Sequence, residues 1–296
     1  MVTSKGEACP SPLRSIRITG EDSGEREAVA NQAHHRMSPS AGPYDSCVDS
    51  ALVNALLPLA FFAVALLYSS VGHAGATGYL ALMALAGLAP DVMRPTALVL
   101  NLAVASIAVV RFARADQLPW RTLPYFLIGS IPAAYLAGSL EISDEIYRPL
   151  LATVLIAAAL RLAARARSDA LSEHTALPPR RFVAALVGGV IGLLAGATGT
   201  GGGVFLTPLV IARRWASTRA AAGLSAGFIL ANSIASLVAR PASLDLLPAT
   251  LPLGLAAAAA GGLIGSELGA RRVSLITLRR LLAAVMAIAA ARLLAG

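Results

Sequence analysis

Lysine does not occur after Lys5, and charged side chains make up only 14% of the 296 residues. A soluble globular chain carries about 25%. The deficit leaves uncharged runs at Ala51–Pro90, Thr122–Leu140, Phe182–Ala212, Ala220–Ala239 and Leu246–Ser266, each close to or beyond the about 20 apolar residues that cross a bilayer. One hydrophobic core cannot hide so many such segments, and one cleaved signal peptide does not account for them. Cysteine is almost as scarce. Cys9 and Cys47 both precede the apolar region, which excludes a disulfide framework and a cysteine-based metal centre. Acidic residues are few and scattered, so neither a buried Asp/Glu relay nor a paired acid/base site stands out. An enzyme is therefore the weakest function class, and no cofactor or metal is called for.

What is present is a membrane composition: 56% of the chain is hydrophobic. Residues 1–50 differ, with five basic and seven acidic side chains and no sustained apolar period. They read as a tail outside the folded core, or as an extension upstream of a start at Met37. Beyond Ala51 the arginines mark connections. Fifteen of them fall into four groups (Arg111 to Arg121, Arg161 to Arg181, Arg213 to Arg219 and Arg271 to Arg280), and three, Arg94, Arg148 and Arg240, lie in the opposite set with the acidic stretch EISDE from Glu141. The asymmetry makes the four groups cytoplasmic. The expected fold is an all-α polytopic protein of the cell membrane, plasma or inner. It has about eight to ten hydrophobic helices, in a first repeat over 51–165, a basic cytoplasmic connection over 166–181 and a second repeat over 182–296. Gly203–Ala212 is short for a crossing and reads either as one half of a hairpin or as a re-entrant element.

The two repeats are pseudo-symmetric. At an offset of 125, Gly78-Tyr79-Leu80 faces Gly203-Val204-Phe205 and Arg94 faces Arg219, while AVASIAVV around Ser106 resembles ILANSIASLV around Ser233. Each half carries a Gly/Thr-rich break, a short apolar helix, an arginine-bearing connection and a polar patch in a long apolar helix. Five elements per half would invert the second repeat, as in many transporters.

The breaks carry the candidate chemistry. YSSVGHAGATGYL contains Ser69, Ser70, His73, Thr77 and Gly78; LAGATGTGGGVFLTP contains Thr198, Gly199, Thr200, Gly201, Gly202, Gly203 and Thr207, followed by Pro208. A broken helix exposes N–H groups whose dipole favours an anion. The same glycines can instead serve close helix packing. Asn101 and Asn232 stand inside apolar repeats and can bond either substrate or a neighbouring helix. His73 is a candidate for proton coupling or a locally satisfied imidazole. Glu267 reads as a boundary residue or arginine partner. TGTGGG lacks the lysine of a nucleotide-binding P-loop. The net charge of +8 sits mainly in loops, where it sets topology or meets anionic membrane lipid rather than nucleic acid.

The pair YSSVGHAGATGYLALMALAGLAP and VGGVIGLLAGATGTGGGVFLTPLVI, with the basic connection and Asn-bearing segment that follow, resembles the TauE/SafE sulfite exporter family over most of Ala51 to Leu294. The resemblance implies a multi-pass permease for sulfite, sulfonates or related organosulfur anions. It carries over Gly199, Gly201, Gly202, Gly203 and Pro208 as motif positions. Combined with the breaks, it points to a secondary transporter of a small organosulfur or carboxylated anion. A membrane scaffold using the glycine surfaces for helix packing is the alternative. The expected substrate-binding set is Thr77, Gly78, Asn101, Thr198 to Gly203 and Asn232.

Single cysteines in a background lacking Cys9 and Cys47 test the topology. A membrane-impermeant thiol reagent applied outside should label Ser143→Cys, and should reach Arg167→Cys and Arg272→Cys only after permeabilisation. External labelling of both arginine sites would reverse the orientation.

Overall fold

The computed structural model describes residues 47–69, 73–165, 179–270 and 276–295. The tail up to residue 46 with Cys9 and Met37, the break residues Ser70 and Gly72, the connection 166–178 and the pair Arg271 and Arg272 lie outside the described residues. Within them the chain is all α. Ten helices follow one another: α1 (Cys47–Ser69), α2 (Ala76–Leu85), α3 (Pro90–Arg114), α4 (Leu123–Ser139), α5 (Asp144–Arg165), α6 (Arg181–Thr198), α7 (Gly203–Ala212), α8 (Thr218–Ala239), α9 (Leu251–Ala270) and α10 (Ile276–Ala295), with a short 3₁₀ helix at Pro241–Leu246.

Local sequence explains the boundaries. Pro90 opens α3 at a position where its missing N–H costs nothing, Asp91 sits at the positive end of the helix dipole, and Arg111 and Arg114 close it at the negative end. Ser217 caps α8 by accepting from the Ala220 N–H at 3.3 Å. Gly75 precedes α2 at φ 100°, and Gly199 ends α6 at φ 76°, its N–H donating to Ala195 O at 2.9 Å. Both conformations belong to the left-handed region that glycine enters freely.

Among the described residues, three helical stretches are long and apolar enough to cross a membrane: Pro90–Arg114, Arg181–Thr198 and Arg219–Ala239. By contrast, α2 and α7 have 10 residues each, about 15 Å of helix, roughly half a hydrocarbon core. Gly203–Ala212 is therefore too short to cross by itself.

Helices α3 and α8 pack against each other, and α4 lies along α8 as α9 lies along α3. The tightest pairing is α4 with α6. A Cβ added at Gly188 or Gly196 would strike the carbonyl oxygen of Phe126 or Ala134, and one at Gly192 would come 2.5 Å from Ser130 O and 2.7 Å from its Cα. Three glycines four residues apart thus meet three residues four apart, backbone against backbone. Gly261 and Gly265 of α9 approach Phe62 and Leu66 of α1 in the same manner. The opposite face of α6 exposes Phe182, Leu186, Val190 and Leu193. A helix that buries glycine and exposes large apolar side chains inverts the soluble pattern and fits a lipid solvent, where close approach and van der Waals contact drive association. Two apolar clusters fill the interior, one around Tyr79, Leu100, Leu155 and Met286, the other around Phe126, Leu206, Leu224 and Phe228.

Gly192→Val would push three carbons into the α4 backbone. Overpacking of this kind costs about 1–3 kcal/mol. The variant should melt lower in detergent and yield less monodisperse protein than Gly189→Ala, whose added Cβ meets nothing nearer than 3.6 Å. Equal behaviour of the two would remove the close-packing account.

Candidate functional site

The chain between α6 and α7 turns through three glycines with positive φ: Gly199 at 76°, Gly201 at 69° and Gly202 at 81°. Residues of α3, α6 and α8 close around this turn. At Gly199 a methyl group would come 3.3 Å from the Cα and carbonyl oxygen of Arg94; at Gly201, 3.1 Å from Asn101 Nδ2 and 2.8 Å from Ile229 Cγ2; at Gly202, 2.8 Å from Phe228 Cε1 and 2.9 Å from Ile191 Cγ2. Gly203, which opens α7, would meet the Ile229 side chain and, at 3.6 Å, Ser225 Cβ. The hydroxyls of Thr198 and Thr200 share a hydrogen bond of 2.9 Å, and Thr198 also donates to Leu194 O at 2.6 Å.

Asn101 on α3 and Asn232 on α8 are both 0% exposed. Neither amide oxygen nor amide nitrogen of either residue has a hydrogen-bond partner among the described residues. A buried amide without partners costs about 1–3 kcal/mol. Asn101 reaches the Gly201 turn, and Asn232 lies one helical turn beyond the Ile229 that lines it. Ser233 beside Asn232 is equally buried and also unpartnered among the described residues.

The first break meets the second through a hydroxyl chain. His73 Nε2 and Thr207 Oγ1 lie 2.9 Å apart, and Thr207 in turn bonds Ser225 Oγ. This links the segment before α2 to α7 and α8. Of the residues expected beside the substrate, Thr77 and Gly78 meet α1: the Thr77 hydroxyl bonds Tyr68 Oη at 2.7 Å, and a Cβ at Gly78 would meet Val64 and Tyr68. Pro208 lies inside α7, half-buried. Glu267 pairs with Arg111 at 3.4 Å, and Arg240 with Glu141 at 3.2 Å, so the acidic stretch and Arg240 share one end of the helix assembly.

Sequence reasoning missed Arg94 and Tyr147. Arg94 was expected in a connection; it stands inside α3, only 9% exposed. Its Nη2 donates to Gly196 O at 2.9 Å and Ala137 O at 3.4 Å, and its guanidinium lies 5.8 Å from the Tyr147 ring centroid. Both carbonyls belong to the last turns of α6 and α4, where the helix dipoles are negative and accept a cation. Tyr147 Oη donates to Thr198 O at 3.2 Å, satisfying a carbonyl the helix end leaves free. The sequence held one signal for Arg94: Pro90-Asp91 marks a helix start, which places Arg94 a full turn inside.

A family model described as "Sulfite exporter TauE/SafE" matches residues 57–293. The chain is 40% identical over 239 residues, covering 80% of its own length and 97% of the relative's, to "Probable membrane transporter protein y4hK" of Sinorhizobium fredii. No solved structure matches the chain.

Gly202→Ala forces an L residue into the left-handed region, at about 1–2 kcal/mol, and drives its methyl into Phe228. Thermal unfolding in detergent should show a clear loss of stability for Gly202→Ala and a small one for Thr200→Val, which gives up one hydroxyl contact. Wild-type unfolding of Gly202→Ala would show that the turn adopts another conformation.

Proposed function

The chain belongs to the sulfite exporter TauE/SafE family of membrane transporters, and from that premise we propose that it is a secondary transporter of small anions, with sulfite, sulfonates and related organosulfur compounds first and carboxylated anions next. One observation carries the site: Asn101 and Asn232 are fully buried and lack partners among the described residues, Asn101 against the glycine turn and Asn232 one helical turn beyond Ile229, which also lines it. Their amides would bond the anion together with the hydroxyl of Thr200 and the peptide groups of Gly199 to Gly203. Such a site stabilises an oxyanion through neutral dipoles at the depth where water is scarce.

The inverted-repeat reading has support in the order of elements. Helices α1 to α5 have 23, 10, 25, 17 and 22 residues, and α6 to α10 have 18, 10, 22, 20 and 20. Exchanging the sets turns the α4–α6 pair into α9–α1 and the α4–α8 pair into α9–α3, and leaves α3–α8 and α5–α10 as partners of themselves; every one of these pairs is in contact. On this reading residues 51–165 and 182–296 rock against each other, the connection 166–181 is cytoplasmic, and the protein resides in the plasma or inner membrane. His73, bonded through Thr207 to the second set, is the proton-coupling candidate. The scaffold alternative draws on the glycine stripes, yet those at Gly188, Gly192 and Gly196 are already occupied by α4 of the same chain.

Counterflow of labelled sulfite in proteoliposomes, with competing sulfonates and carboxylates, tests this reading. Asn101→Leu and Asn232→Leu should each lower the initial rate at least about tenfold while leaving the folded protein as stable or more so, because each removes an unsatisfied buried amide. No movement of any anion by correctly inserted wild-type protein would sink the transport proposal. Loss of stability in both variants with unchanged transport per folded molecule would make the asparagines structural.

A further inference from the structure

Among the described residues, Arg94 is the buried arginine, only 9% exposed. Among those residues no carboxylate pairs with it, and its hydrogen bonds there are made through Nη2. The two carbonyls it touches supply partial negative charge from helix ends, enough to hold a guanidinium within the fold but without the full charge of an anion. A guanidinium carries five N–H donors in a planar fork, matched to two oxygens of an oxyanion. Its backbone also abuts Gly199, the first residue of the interruption, while Tyr147 binds both its ring-facing side and the Thr198 carbonyl.

We propose that Arg94 is the charge-recognising group of the transport path, binding the oxyanion through its unengaged Nη1 and Nε donors at the end of the path where α4 and α6 terminate, before the anion reaches the neutral dipoles of the Gly199–Gly203 turn. This rests on the transport reading above and assigns it a cation. The division of labour follows from electrostatics: a full positive charge in a poorly screened setting selects anions over neutral solutes of the same shape, while the asparagines and peptide groups supply contacts from which the anion can leave. Placing a fixed cation beside the turn instead of within it avoids trapping the substrate as a tight ion pair.

Two measurements separate this role from a helix clamp. In the first, initial rates of labelled sulfite uptake into proteoliposomes are compared for wild type, Arg94→Lys and Arg94→Gln, normalised to inserted protein. Arg94→Gln keeps an amide donor for the Gly196 carbonyl but loses the charge; its KM for sulfite should rise at least about tenfold with a smaller change in kcat. Arg94→Lys keeps the charge and loses the fork, and should fall between the two. A wild-type KM in Arg94→Gln overturns the proposal while leaving transport itself intact, whereas an inactive wild type sinks the transport reading first. In the second, which needs no variant, wild-type protein in liposomes is treated with phenylglyoxal with and without sulfite, and the adduct at Arg94 is quantified by mass spectrometry. Sulfite should protect Arg94 several-fold more than it protects Arg148. Equal labelling of Arg94 in both conditions, or none in either, overturns the proposal even if the variants fail to fold.

Discussion

An interrupted backbone buried away from solvent constrains the rest of this fold. Between Thr198 and Gly203 the chain leaves the helix, and the peptide groups there must find partners inside the protein. The structure answers with convergence: Tyr147 takes the Thr198 carbonyl, Arg94 takes that of Gly196, and α3 and α8 close over the glycines. Left-handed torsions at three of the five residues from Gly199 to Gly203 make the reversal feasible without a side chain in the way. The same convergence brings Asn101 to the turn and sets Asn232 one helical turn beyond Ile229, so the buried amides and the interrupted backbone belong to one cluster of elements.

Glycine serves two physically different ends here. On α6 and α9 it removes bulk so that two backbones can touch, and the conformation is ordinary helix. At the α6–α7 turn it supplies torsions that other residues reach only at a cost. The separation matters, because a packing glycine holds two helices together, whereas a turn glycine sets the direction its peptide groups face. The short helices α2 and α7, about half a bilayer long, bring the two interruptions near each other, and the His73–Thr207–Ser225 chain is the polar thread between them.

Much of this was legible in the chain. The Gly/Thr cluster predicts the break, Gly203–Ala212 predicts a short element, and a boundary Glu267 predicts an arginine partner, realised as Arg111. Two features were not legible, for definable reasons. Thr77 and Gly78 match the second motif by residue type, while their packing against Tyr68 and Val64 of α1 depends on the neighbours. Arg94 looked like a loop marker, since charge ordinarily marks the end of a membrane segment; two helix ends and an aromatic face let it lie inside.

The sequence by itself determined the apolar segments, the places where helices start and stop, the ends that carry arginine and the family, because these depend on local composition and on the order of motifs along the chain. Only the tertiary structure decided which face of each helix turns inward and which polar group meets which. Helices such as α2 and α7 are apolar on all sides, so no amphipathic stripe records their orientation. In a lipid solvent that information resides in steric fit, in the four-residue spacing of glycines against a partner's carbonyls and in the few polar atoms left to be satisfied. Those terms exist only once the neighbours are in place.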